Sequence, residues 1–204
     1  PLKQLNAAAK ESADGNMDVS IECNTNDEVK TLTESIQQMA QNLKAYVKEI
    51  NGLVYRDGLT GVKNKMYYSE YIKSLSEEAQ KQPYTIVVFK VTGLAGVNKT
   101  RGRKCGDELI VTACGIICRV LSHSPIFRIG GDEFVAFLKG NDYMKCGELL
   151  REFEDLSSDV TLVGAPDIAV RIVYGTAQSA DGTEPYEEVF CRADEEKEQK
   201  KKGM

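Results

Sequence analysis

Histidine is nearly absent from this chain: His123 stands alone among 204 residues. One imidazole leaves no His-rich metal site and argues against a Ser-His or Cys-His nucleophilic centre. Basic charge is not in excess either, with 26 Lys and Arg against 31 Asp and Glu and a net charge of −5. A general nucleic-acid binder shows a basic face, so no nucleic-acid partner is expected, whereas a nucleotide pocket needs only a few placed groups. No apolar run approaches the roughly 20 residues of a membrane helix, and no signal peptide opens the chain. It opens on Pro1 rather than Met, which reads as a piece of a longer chain. The six cysteines, Cys23, Cys105, Cys114, Cys118, Cys146 and Cys191, include no CxxC pair. Cys114 and Cys118 fall in an apolar helical run and read as buried thiols of a reducing, cytoplasmic compartment. What is present is a hydrophobic fraction of 42% and a charged fraction of 28%, enough for a packed core. The length suits one ordinary domain plus an appendage.

The appendage comes first. Leu2, Leu5 and Ala9 form a short apolar stripe that stops at the turn Asp14-Gly15-Asn16, and Met17, Val19 and Ile21 follow in an extended connector. Asn26-Asp27-Glu28 supplies an N-cap and first-turn acids for a second helix. Its apolar positions are Val29, Leu32, Ile36, Met39, Leu43, Tyr46, Ile50 and Leu53, spaced alternately by three and four. That heptad seam predicts a parallel coiled coil, the alternative being an amphipathic helix packed on its own domain.

The remainder alternates α and β. The pattern predicts a helix over 64–80, a strand over 84–92, a helix over 104–121, a hairpin of 126–129 with 134–138, a helix over 142–157, a strand over 168–176 and a charged closing helix. The order β-α-β-β-α-β is that of a ferredoxin-like, α+β fold, shared by nucleotidyl-cyclase and polymerase palms. The hairpin turn reads Gly130-Gly131-Asp132-Glu133-Phe134. Glycines there let the turn take positive φ and let a ligand approach the backbone. Two acids at a turn tip can hold Mg²⁺ on a triphosphate, or can be a solvated hairpin tip.

These five residues spell the signature of the GGDEF, or diguanylate cyclase, family. Asp57-Gly-Leu59-Thr60-Gly61-Val-Lys-Asn64-Lys65 resembles the same family's Asp-x-Leu-Thr-Gly-x-x-Asn-Arg motif, and Asn98, Gly106-Asp107, Arg128 and Ala193-Asp194 fall where it has them. The likeness covers about 57–204. Upstream, Pro1, Gly15, Asp27-Glu28-Val29, Met39 and Leu43 resemble a HAMP signal-relay module, a dimeric four-helix bundle. The chain thus divides, on this reading, into a HAMP-like segment at 1–46, a connecting helix at 47–56 and a GGDEF domain at 57–204.

The resemblance implies specific roles. Asn98 and Asp107 read the guanine edge of GTP, backbone amides of the 93–97 loop and Gly130 and Gly131 meet phosphates, and Lys201 reaches a phosphate from the last helix. Asp132 and the Val91 backbone hold Mg²⁺ or Mn²⁺, and Glu133 assists the 3′-hydroxyl. Two such half-sites, each with a GTP, face one another in a homodimer and form cyclic di-GMP with release of pyrophosphate. The expected setting is the cytoplasmic portion of an inner-membrane bacterial protein with a membrane sensor upstream.

Three departures bear on this. Where the family has two aspartates and a lysine, this chain has Lys90, Thr92 and Ala95. A unit charge pair about 4 Å apart is worth about 4 kcal/mol at an effective dielectric near 20, roughly double for a divalent ion, so Lys90 repels metal at Asp132. It can instead contact a phosphate, or pair with Asp132. The last helix lacks the apolar pair of the family's Ala-Asp-x-Ala-Leu-Tyr pattern. The Arg-x-x-Asp motif of product inhibition would run from Leu121 to Ser124, with neither charge there, so no inhibitory site is expected. The default expectation is the family's condensation of GTP by a working cyclase, the alternatives being a nucleotide-binding sensor and a scaffold that dimerises or docks a partner.

Overall fold

Tyr84–Val91, the β-branched run YTIVVFKV, is buried at every position but Lys90. A strand apolar on both faces belongs in the middle of a sheet. The computed structural model places it there and describes residues 30–32, 34–39, 41–42, 54–77 and 81–203. The chain divides into two compact units, Pro1–Val54 and Tyr55–Met204. In the first, the described residues between 30 and 42 are helical. The rest of the heptad seam, the connector and Cys23 lie outside the described residues.

In the second unit the elements run β1 (Lys63–Asn64), α1 (Lys65–Glu77), β2 (Tyr84–Val91), α2 (Leu94–Arg101), α3 (Arg103–Val120), β3 (Ile126–Arg128), β4 (Glu133–Lys139), α4 (Gly140–Met144), α5 (Cys146–Ser157), β5 (Thr161–Leu162), β6 (Ala165–Ala169), β7 (Ile172–Ser179) and α6 (Tyr186–Lys202). The main sheet has the order β1-β3-β4-β2-β7. β2 is antiparallel to both β4 and β7, β3 is antiparallel to β4, and the short β1 adds in parallel to β3. Without β1 this is the ferredoxin-like arrangement expected from the element order.

Side chains alternate across β2. Val87, Phe89 and Val91 meet Leu109, Ile110, Ala113 and Ile117 of α3 and Phe153 of α5. Ile86 and Val88 join Phe127, Val135, Phe137, Val189 and Ala193 on the other face, with Tyr68 and Tyr71 of α1 packed against them. The apolar residues of α3 recur at intervals of three and four, as a helix with one buried face requires.

Four expectations need correction. The helix expected over 142–157 is two helices, α4 and α5, separated at Lys145. The strand expected over 168–176 is β7, beginning at Ile172; Ala165–Ala169 instead pairs with β5 in a two-stranded sheet. The segment expected as a loop over 93–97 is mostly helix, since α2 starts at Leu94. The positive φ expected in the Gly130-Gly131 turn is absent: the positive-φ glycines of the described residues are Gly61, Gly93, Gly102, Gly140 and Gly182. The 130–132 turn needs no left-handed residue because four residues span the β3–β4 gap, closed by Ile129 N–H donating to Glu133 O at 3.0 Å. Cys114 and Cys146 are buried, Cys105 and Cys118 half-buried and Cys191 exposed; all five are free thiols.

Candidate functional site

Register brings the site together. Lys90, near the end of β2, stands directly opposite Glu133, the first residue of β4, so both side chains leave the sheet on one face. The turn is tied to β2 by Val91 N–H, which donates to Asp132 O at 2.8 Å. Arg128 ties it to the opening motif, with Nη1 on Asp57 Oδ1 at 2.8 Å and Nη2 on Gly131 O at 2.6 Å. Asp57 Oδ1 also accepts from Thr60 N–H and Oγ1. Burial opposes the charge on Asp57, yet these hydrogen bonds and the guanidinium outweigh it and hold the carboxyl below its ordinary value.

The ammonium of Lys90 lies 3.0 Å from Glu133 Oε1 and 3.7 Å from Asp132 Oδ2. A second ammonium reaches the same oxygen: Lys197 Nζ of α6 is 3.2 Å from Glu133 Oε1 and also pairs with Asp194 and, at 3.7 Å, with Glu198. The side chain of Lys197 is 2% exposed, that of Lys90 21%. Burial disfavours charge on all three groups, but the ion pairs prevail: Glu133 is pulled below its ordinary value, and Lys90 and Lys197 are raised above theirs.

Lys197 is buried because α6 comes unusually close to β7. A Cβ on Gly175 would run into Ala193 O and Lys197 N, so only glycine admits the helix there. The resemblance pointed to Lys201 instead, the register of the family's lysine. Lys201 is exposed, its Nζ 3.6 Å from Glu198, and Lys200 lies over the Tyr174 ring with its Nζ 4.0 Å from the centroid. The signal for Lys197 was present: Val189, Ala193 and Lys197 are four apart on one helix face, and Lys197 takes the register of the family's leucine.

The other expected residues distribute as follows. Asn98 is exposed on α2, its carboxamide lying over Gly106 of α3, where a Cβ would collide with it. Asp107 follows at once on α3, also exposed, one residue beyond the contact that Gly106 makes with Asn98. Ala95 is exposed in the first turn of α2, and Thr92 is tied to the residue just before β7, its N–H donating to Arg171 O at 2.9 Å. Gly131 faces open space at the position a Cβ would take, so packing within the domain does not explain the glycine. Leu121 is buried, and Ser124 donates to Asp142 at 2.6 Å.

The donor set does not suit a divalent cation. Asp132 and Glu133 both lie within ion-pair distance of Lys90, Glu133 is shared with Lys197, and no group of three or more His, Cys, Asp or Glu able to hold a metal occurs among the described residues. No helix among the described residues is long and apolar enough to cross a membrane.

Residues 54–204 match the family model described as diguanylate cyclase, GGDEF domain, and residues 1–45 match that of the HAMP domain. The chain is 36% identical over 88 residues to diguanylate cyclase DgcS of Shewanella oneidensis, covering 42% of this chain and 30% of that one. It is 26% identical over 161 residues to probable diguanylate cyclase DgcC of Escherichia coli, covering 77% and 43%. It thus spans less than half the length of either relative. In fold it is similar to a solved chain described as the coiled coil and GGDEF domain of DgcB from Caulobacter crescentus in complex with c-di-GMP, at a TM-score of 0.71 and 21% identity over 87% of this chain and 96% of the other. With the signature at its hairpin tip and the family model covering residues 54–204, the chain belongs to the diguanylate cyclase GGDEF-domain family, with a HAMP domain ahead of it.

Proposed function

We propose that this GGDEF domain serves cyclic di-GMP signalling as a nucleotide-binding module whose own condensation of GTP is impaired. One observation carries the reading: Lys90 Nζ lies 3.0 and 3.7 Å from the two carboxylates of the signature. In the family that position is an aspartate that holds metal; here an ammonium neutralises the residues that would share the task. The groups assigned to binding are retained. Asn98 and Asp107 are both exposed, with Asn98 lying against Gly106, the residue before Asp107, and offer the donor and acceptors a guanine edge needs. The open backbone of Gly131 and the first turn of α2 offer amides to phosphates, whereas the Gly130 N–H already donates to Glu133 O at 3.4 Å.

Working cyclase activity is the second reading, favoured by the retention of Asp132, Glu133, Asn98 and Asp107 and by relatives that are named diguanylate cyclases. The domain limits 1–46, 47–56 and 57–204 belong to the same reading, with the HAMP domain passing a change in dimer arrangement from a sensor in a membrane-linked parent protein. The test is to incubate the protein with GTP and Mg²⁺ or Mn²⁺ and separate the nucleotides. The expected result is GTP binding, lost on Asn98→Ala, with little or no cyclic di-GMP. Lys90→Asp combined with Lys197→Leu should then raise turnover by at least about tenfold, or about 1.4 kcal/mol of barrier. A native product peak abolished by Asp132→Ala would establish the cyclase instead, and absence of both product and binding would leave only a scaffold.

A further inference from the structure

We infer that the Lys90–Lys197 pair lets this site take a nucleoside triphosphate without a divalent cation, an inference that rests on the nucleotide-binding reading above. A triphosphate arriving beside Asp132 and Glu133 needs positive charge. Two ammonium groups meet at Glu133 Oε1, at 3.0 and 3.2 Å, so one can stay on the carboxylate while the other serves the ligand.

They divide the work by burial. Lys197, 2% exposed, is fixed among Glu133, Asp194 and Glu198 and cannot reach a ligand. It stays paired with Glu133 while also holding Asp194 and Glu198. Lys90, its side chain 21% exposed, can therefore turn from Glu133 to a phosphate while Glu133 keeps its pair with Lys197, and the Asp132 carboxylate that it also leaves is 32% exposed and open to water. The ammonium sits on a flexible four-carbon stem, so it can follow a phosphate over several ångströms. Beyond Val91, only Thr92 and Gly93 separate β2 from α2, whose first amides have no partner within the helix. A phosphate reached by Lys90 thus lies near a second set of donors. A divalent cation, by contrast, has to displace Lys90 from Asp132 and Glu133 before it can use either carboxylate, and gains little.

The experiment is a calorimetric titration of the full 204-residue chain with GTP, once in EDTA and once with excess Mg²⁺. The expected dissociation constants agree within about threefold. Lys90→Asp, checked for a native thermal transition, should lose about tenfold or more in affinity in EDTA and recover it with Mg²⁺. Binding by the native chain only when Mg²⁺ is present would overturn the inference and leave the nucleotide-binding reading intact. Absence of binding in both buffers would overturn both. The native chain alone decides between these outcomes, so the result does not depend on the variant's folding.

Discussion

Asp57 and Arg128 come from opposite ends of the domain's first half, yet their contact decides how the signature turn is held. Arg128 spans from Asp57 to the Gly131 carbonyl, so the opening motif and the hairpin tip move as one body. Arg128 Nε is buried without a hydrogen-bond partner, which leaves the guanidinium dependent on the Asp57 charge. The carboxyl of Asp57 is held below its ordinary value of 3.8, so its charge stabilises the fold fully above pH 3.8 and progressively less as the pH falls through the lower folded value. Asp57→Asn should cost about 1–3 kcal/mol at neutral pH. It should also flatten the dependence of stability on pH in the acid range. Urea unfolding at pH 7 and at pH 3.5 checks both, and an equal loss at the two pH values would show that the Asp57 charge contributes nothing.

At the scale of elements, α6 and β7 set the character of the site. The close approach at Gly175 presses the backbone of α6 onto the sheet and turns the Val189–Ala193–Lys197 stripe inward. Gly175→Ala should destabilise the domain by about 1–3 kcal/mol, since the added methyl meets main-chain atoms that cannot rotate away. It should also lift α6 and loosen the Lys197–Glu133 pair. Thermal unfolding measures the first effect; an unchanged midpoint would mean that the helix shifts without cost. The same pair of elements shows what a sequence does and does not disclose. The unbroken β-branched run of β2 and the apolar stripe of α3 were legible because burial on both faces of a sheet, or along one face of a helix, imposes its pattern on the residues directly. The β5–β6 hairpin and the split at Lys145 were not, because short elements carry too few residues for a period and are fixed by tertiary contact. The carboxylates of the site were legible from the signature. Lys197 was overlooked because a lysine within a run of lysines and glutamates reads as solvated, and its burial depends on a glycine 22 positions earlier on another element.

For the whole molecule, the resemblance set out above implies that two half-sites meet, which makes the state of association the quantity to measure. Within the described part of the first unit, Leu32 and Met39 stand seven residues apart on helix and are 49% and 69% exposed in the single chain. Apolar side chains repeating at that interval on an open helix face suit burial against a second copy of the same helix. The HAMP match over residues 1–45 supports the same pairing. The native chain should therefore sediment as a dimer at micromolar concentration. Leu32→Lys with Met39→Lys should weaken association by at least about tenfold, because each lysine sets like charges against one another in an apolar seam. Analytical ultracentrifugation over a concentration series distinguishes the cases. A variant as dimeric as the native chain would place the dimer contact elsewhere. A monomeric variant that still binds GTP with native affinity would show that each half-site takes its nucleotide alone, and that the helix controls only how two occupied sites meet.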